Sequence, residues 1–334
     1  AIPQVVDILK DAFLFGNDSS HKVMARRIIK RSQLNSPDQL FPVFVKAGIF
    51  SRDENIDLLS MQIPTVFSRT VLKTQENLTL SRPDFMSDPF RTDLSQVPMI
   101  TIDGQSTLDF DDAISLETTE TGYTLGIHII DVDAYIKSED PIDLAARERA
   151  SSIYMPDDKL PMIPPGLSED LCSLKKGETR PGISTLVKMN RFFEIQEYQI
   201  LPSIIRVHEQ MSYAEANLLN GKNDPVTTLY KIATTMRDKR LKAGAIQITL
   251  PEVNVWLEEN NEIGYSKIDR ENPSRMLVSE MMILANSLMA EFLAANEMPA
   301  VFRSQAAPRE RLFSGIETSL TLNLKQRKHL SRAM

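Results

Sequence analysis

The chain has 334 residues, 42% of them hydrophobic, enough to bury one large core and a smaller second one. No stretch reads as an 18-residue apolar span, so neither a transmembrane helix nor a membrane partner is expected, and "AIPQVVDILKDAF" lacks the regions of a signal peptide. A single cysteine, Cys172, and four scattered histidines exclude an internal disulfide framework and a typical structural zinc site; they fit a reducing cytoplasm with no disulfide-linked partner, and leave oxygen ligands to hold any metal.

The net charge of −7 is unevenly spread. Residues 1–48 carry seven Lys/Arg against four Asp, and residues 303–334 carry seven against Glu310 and Glu317, so the centre is strongly acidic. Basic ends around an acidic centre suit a phosphate-tracking surface that leads to a cation-filled site. Ordinary solvated helix faces give the same charge pattern.

Residues 1–70 predict short amphipathic helices. "PQVVDILKDAFLF" sets Val5, Ile8, Leu9 and Phe13 at helical spacing, "SSHKVMARRIIKR" opens on a Ser cap, and "SPDQLFPVFVKAGIF" opens on Ser-Pro. They predict a small helical module, of which a winged helix is one form. Arg26, Arg27, Lys30 and Arg31 make it a candidate nucleic-acid contact; simple packing on the rest of the chain is the alternative. Residues 71–95, polar and holding Pro83 and Pro89, predict an irregular linker.

From residue 96 to 334 the pattern is α+β, with strands and helices mixed. "VPMITID" and "YTLGIHIIDV" alternate as strands, and "PIDLAARERA" is a short helix. "GISTLVKMNRFFEIQEYQILPSIIRV" predicts two strands with a turn near Met189–Asn190. "DPVTTLYKIATTMRDKRLKAG" is a helix with Gly244 past its end, and "AIQITLPEVNVW" a strand. "NPSRMLVSEMMILANSLMAEFLAANEMP" is the longest helix, apolar almost all round, which makes Glu280 conspicuous in its middle.

The run "TIDGQSTLDFDDAISLE" gathers Asp103, Asp109, Asp111 and Asp112. No register of it satisfies the spacing of an EF-hand calcium loop. An acidic turn accounts for one or two aspartates. Four beside apolar "MITI" and "AISL" would raise one another's pKa unless a cation neutralised them. Carboxylates without usable His or Cys select a hard ion, Mg²⁺ or Mn²⁺. Two such ions about 4 Å apart can activate water and stabilise the leaving oxygen of a phosphodiester.

Seven ordered blocks widen the evidence: "TIDGQSTLDFDDA", "LGIHIIDV", "ASSIYMPD", "PMIPPGLSEDLCSLKKGETRPGIST", "AGAIQITLPE", "SRMLVSEMMILAN" and "VFRSQAAPRER". In order and spacing they resemble the ribonuclease II and ribonuclease R family, the RNB exoribonuclease domain, in its bacterial form, over roughly residues 95–334. The resemblance implies an Mg²⁺-dependent hydrolase that degrades single-stranded RNA processively from its 3′ end to nucleoside 5′-monophosphates. It puts Asp103 and Asp112 on the family's direct metal ligands, Asp111 on the aspartate whose loss is most damaging, and Asp109 in support. All four thereby stand as catalytic and metal-site candidates. It puts Tyr154 on the aromatic that stacks against the 3′-terminal base, and Glu280 on a glutamate near the RNA end. By their residue types alone, Tyr154 is a half-buried aromatic near a Pro turn, and Glu280 is a core acid paired with Arg275 or Arg303. His128 and Cys172 read as packing residues without a chemical partner.

Three departures qualify the resemblance. Ile248 of "GAIQITLPE" stands where the family has a second clamping aromatic. The S-P-x-R-R motif that supplies an arginine for the scissile phosphate is not found, so phosphate capture is expected of an arginine beyond Met334. The C-terminal OB-fold and the paired cold-shock domains are also missing, so the sequence reads as part of a longer enzyme. A non-catalytic RNA-binding relative and a DNA- or dinucleotide-directed phosphodiesterase remain open beside the exoribonuclease reading.

Overall fold

The chain divides into two units, a helical one over residues 1–67 and a mixed one over residues 68–334. The computed structural model describes residues 2–332 apart from 33, 35, 82, 220, 223, 259–261 and 270. The first unit holds α1 (Ile2–Phe15), α2 (Lys22–Arg31), α3 (Leu40–Lys46) and α4 (Ile56–Ser60). Its core is aromatic: Phe44 and Phe50 meet edge to face at 5.0 Å, and Phe13 lies 5.8 Å from Phe44 and 5.9 Å from Phe50. No strand lies among the described residues of this unit, so the expected helices are present without a β wing. On α2, Ala25 and Ile29 are buried, and Arg26, Arg27, Lys30 and Arg31 are exposed.

The second unit opens with α5 (Arg69–Leu80), a correction to the linker expected over residues 71–95. The Ser68 hydroxyl accepts the Val71 N–H at 3.3 Å, and Val71 is buried. Three threonines and an asparagine in the surrounding turns weakened the apolar period that would have marked a helix. The rest of that stretch is irregular until β1 (Thr92–Asp93), which pairs in parallel with a later strand.

The elements that follow are β2 (Met99–Asp103), β3 (Asp112–Thr118), β4 (Gly122–Ile130) and α6 (Pro141–Arg149). A small hairpin, β5 (Ile153–Tyr154) and β6 (Lys159–Leu160), leads to a π-helical turn at Leu167–Leu171. Then come β7 (Thr179–Asn190), β8 (Ile195–Arg206), β9 (Glu209–Ser212) and α7 (Tyr213–Leu219). Next are α8 (Pro225–Lys242), β10 (Ile246–Gln247), β11 (Glu252–Leu257), β12 (Ile263–Ile268) and α9 (Pro273–Ala295). The chain closes with β13 (Gly315–Ile316) and α10 (Leu320–His329). Seven strands form one sheet in the order β1-β8-β7-β4-β3-β2-β9, antiparallel from β8 to β2. The strand expected through Ile246, Ile248 and Leu250 is broken: β10 ends at Gln247, and β11 begins after Pro251.

One face of the sheet carries Ile102, Ile114, Leu125, Ile127, Val187 and Met189 into a core with α8 and α9. Contrary to the sequence expectation, α9 is long and apolar enough to pass for a membrane span, with mean hydropathy 1.4 over 18 residues. Here a stripe at three- and four-residue spacing, Leu277, Met281, Ala285 and Leu288, joins the core beneath the sheet.

The other face holds a buried polar row across four adjacent strands. His128 on β4 is fully buried, its Nε2 2.9 Å from the Ser115 hydroxyl on β3 and its Nδ1 2.7 Å from Ser184 on β7; Ser184 in turn lies 2.6 Å from Ser203 on β8. A Cβ on Gly126 would run into Ser115 and the His128 ring, so only glycine leaves the imidazole its space. His128 therefore has two chemical partners, invisible in sequence because each lies on a different strand. Burial lowers its pKa to about 4, which keeps it neutral. Replacing His128 with Ala should lower stability by about 2–4 kcal/mol, from a cavity plus hydroxyls left without partners. Urea unfolding of the two proteins measures this; a change below about 1 kcal/mol would contradict it.

Candidate active site

Asp103 ends β2, and Asp112 begins the neighbouring β3. An antiparallel pair joined by a turn brings its end and its start together, which is why residues nine apart in sequence share one corner. Asp109 and Asp111 stand in the turn. Its backbone is pinned from outside: Ser173 Oγ donates to the Leu108 carbonyl at 2.8 Å and accepts the Phe110 N–H at 3.0 Å. The Leu174 N–H reaches the Phe110 carbonyl at 2.9 Å, and the Ile130 N–H reaches that of Asp111 at 3.0 Å.

The electrostatics follow from this crowding. Burial, then Asp112, Asp111 and Asp109, push Asp103 up to about 7. Burial and Asp111 push Asp112 up to about 6. Asp111 is also raised, by partial desolvation and by Asp109, although its side chain remains open to solvent. Asp109 differs. Burial works against its charge, but hydrogen bonds from Lys159 and Tyr154 outweigh it and hold the carboxyl below its usual range. The Tyr154 hydroxyl donates to Asp109 Oδ2 at 2.8 Å, and Lys159 Nζ donates to the same oxygen at 3.0 Å.

Two cavities meet the cluster. One, of about 380 Å³, is lined by Asp109, Asp111, Tyr154, Lys159 and Glu169. Tyr154 is 66% exposed there, with the Lys159 ammonium 5.3 Å from its ring centre. The other, of about 420 Å³, is lined by Asp103, Tyr213, Asn254, Lys267 and Arg275, with the Arg275 guanidinium 4.1 Å from the Tyr213 ring centre. Lys159, Glu169 and Tyr213 were not singled out from the sequence, and Arg275 was named there only as a partner for Glu280. Their signal is the strand register and helix packing that set them beside the aspartates.

Glu280 is not brought to this place. It is buried on α9 and held by Arg240 of α8 in a bidentate pair, with Nε 3.0 Å from Oε2, so neither Arg275 nor Arg303 is the partner. Its cavity, about 220 Å³, is shared with Arg237, Gln247, Ile248 and Glu271. Ile248 therefore lines a different cavity from Tyr154. Cys172 is buried, its thiol pushed up to about 12 by burial, which suits packing.

Among the described residues, no three His, Cys, Asp or Glu side chains are gathered closely enough to hold a metal ion. The donor chemistry nevertheless fits a hard cation. The atom Oδ2 of Asp103 is buried without a hydrogen-bond partner, and Asp103, Asp111 and Asp112 are all raised acids, only Asp111 being partly offset by the Lys159 charge.

The RNB domain family matches residues 91–334, and the family described as a Double HTH domain matches residues 2–56. Ribonuclease R of Thermotoga maritima is 34% identical over 230 residues, covering 65% of this chain and 32% of that protein. Exoribonuclease 2 of Vibrio parahaemolyticus is 34% identical over 234 residues, covering 66% of this chain and 35% of its own length. The chain thus spans about a third of the length of these curated relatives. A solved structure of Mycoplasma genitalium RNase R in complex with ribose-methylated single-stranded RNA superposes with a TM-score of 0.68 at 24% identity, over 75% of this chain and 40% of that one. That likeness shows the fold.

The raised acids make a pH prediction. In the metal-free chain the folded state keeps protons on Asp103 up to about 7, and on Asp112 up to about 6, that the unfolded state has lost above 3.8. The folded state binds more protons across that window, so these two groups make stability fall as pH rises through it. Asp103→Asn should flatten the fall and raise the melting temperature at neutral pH. Thermal unfolding in EDTA across the window measures this; an equal slope in the variant would refute it.

Proposed function

Because the chain belongs to the RNB family, we propose that it is the catalytic part of a hydrolase that degrades single-stranded RNA from the 3′ end to nucleoside 5′-monophosphates. The observation that carries this reading is the corner of four aspartates, one with an orphaned oxygen, beside an exposed tyrosine. Asp103 and Asp112 would hold Mg²⁺, with Mn²⁺ as a substitute, and Asp111 would complete the oxygen set. When bound, the ion supplies a Lewis acid for the phosphodiester and lowers the pKa of its water.

The protein's own groups do the rest. Tyr154 offers a ring face to the terminal base, and stacking of that kind accepts any base. Its hydroxyl is anchored on Asp109, so the ring is presented from a fixed position. Asp111, which lines the cavity, would accept a proton from the attacking water. Arg275, stacked on Tyr213 with a face toward the Asp103 cavity, offers a cation to a phosphate. The buried Arg240–Glu280 pair ties α8 to α9 behind the site and needs no RNA contact. The N-terminal unit would add nonspecific affinity through the exposed basic face of α2, in a cytoplasmic setting that suits the free thiol of Cys172.

Incubating the chain with labelled single-stranded RNA and Mg²⁺ should release mononucleotides, and Asp111→Asn should slow this by about a hundredfold or more. RNA binding without any product would favour a non-catalytic binder. Equal cleavage of matched DNA would overturn the substrate assignment. Charge neutralisation at Arg26, Arg27, Lys30 and Arg31 should lower RNA affinity and flatten its dependence on salt, measured by fluorescence anisotropy. Unchanged affinity would mean that α2 does not touch RNA.

A further inference from the structure

Lys159 makes a dense set of polar contacts at the site. Its ammonium lies 3.0 Å from Asp109 Oδ2, 3.2 Å from Glu169 Oε1 and 5.3 Å from the centre of the Tyr154 ring. The β5–β6 register pairs Tyr154 directly with Lys159, so the two residues sit opposite each other on the hairpin. Asp109 comes from the turn between β2 and β3, and Glu169 from the π-helical turn. One charge therefore ties three separate segments together at the mouth of the cavity that Asp109, Asp111 and Tyr154 line.

This arrangement has two opposed effects. Asp109 Oδ2 already accepts from both Lys159 and Tyr154, so that carboxylate is directed toward the tyrosine and its charge is answered locally. A cation in this position also repels any second cation that approaches the neighbouring aspartates. The ammonium thus opposes the metal while it organises the group that meets the RNA end. An ion pair with a merely structural role would affect stability and neither of these.

We propose that Lys159 is a positioning residue that sets Tyr154 for the 3′-terminal base and holds Asp109 away from the divalent ion, which is left to Asp103, Asp111 and Asp112. This rests on the reading of the site given above. In that reading Lys159 acts through Tyr154 on the RNA, and through its charge on the ion.

The test uses the whole chain in two binding assays without turnover. Mn²⁺ is titrated by electron paramagnetic resonance, and a 3′-hydroxyl oligoadenylate by fluorescence anisotropy in EDTA. Lys159→Met should bind Mn²⁺ about fivefold tighter and the oligoadenylate about fivefold weaker, while Lys159→Arg stays near wild type in both. Lys159→Gln, which keeps a polar end for Glu169, must show the same opposed shifts. In a Tyr154→Ala background, loss of Lys159 should cost little further RNA affinity. If wild type binds Mn²⁺ and neither neutral variant binds it tighter, the Lys159 proposal is overturned and the cation site stands. A full additive RNA loss in the Tyr154→Ala background overturns the positioning role as well. If wild type binds neither Mn²⁺ nor the oligoadenylate, the functional reading fails and this proposal falls with it.

Discussion

Four carboxylates on one turn repel one another, and the second unit is organised around that repulsion. Two of them stand at the end of β2 and the start of β3, brought to one corner by the turn that joins these neighbouring strands. The turn that carries the other two is fastened by Ser173, Leu174 and Ile130, so it cannot relax outward. Burial first, and the neighbouring aspartates second, leave Asp103 and Asp112 holding protons above the usual carboxylate range. A corner with this much unanswered negative charge is stable in ionised form only with a cation beside it. Lys159 hydrogen-bonds Asp109 and Glu169 and its charge also acts on Asp111, so Asp103 and Asp112 are left with the least answered charge.

Holding such a corner rigid requires a firm sheet, and both of its faces are buried. The face toward α8 and α9 is apolar, whereas the opposite face runs Ser115, His128, Ser184 and Ser203 across four strands. Because each hydroxyl and ring nitrogen needs a partner in one specific place, this row fixes the strand register in a way that apolar packing does not. The register in turn places Asp112 opposite Ile129, next to the Ile130 amide that pins the turn. Behind the sheet, Arg240 and the buried Glu280 join the two long helices by a bidentate pair, a contact whose loss would leave the acid stranded.

The candidate site residues are divided among three cavities. Tyr154 and two aspartates share one space, Asp103 and Arg275 share another, and Ile248 lies with Glu280 in a third. Tyr154 thus shares its space with Asp109 and Lys159. The absence of an aromatic at position 248 leaves that side without a stacking ring.

What the sequence determined by itself is the chemistry: four aspartates in one run, the strands on either side of them, the long helix with its acid, and the family. These are legible because they depend on residue type and local period, which a single chain displays in order. The helix over Arg69–Leu80 escaped notice since its Thr and Asn side chains blur the apolar stripe, and the strand through Ile248 broke at a proline that alternation alone did not weigh. Only the tertiary structure decided the partners: Ser115 and Ser184 for His128, Arg240 for Glu280, and Lys159 for Asp109. The reason is physical. Each of these pairs spans 10 or more residues and is set by strand register or helix packing, and whether a charge is answered depends on which segment arrives beside it.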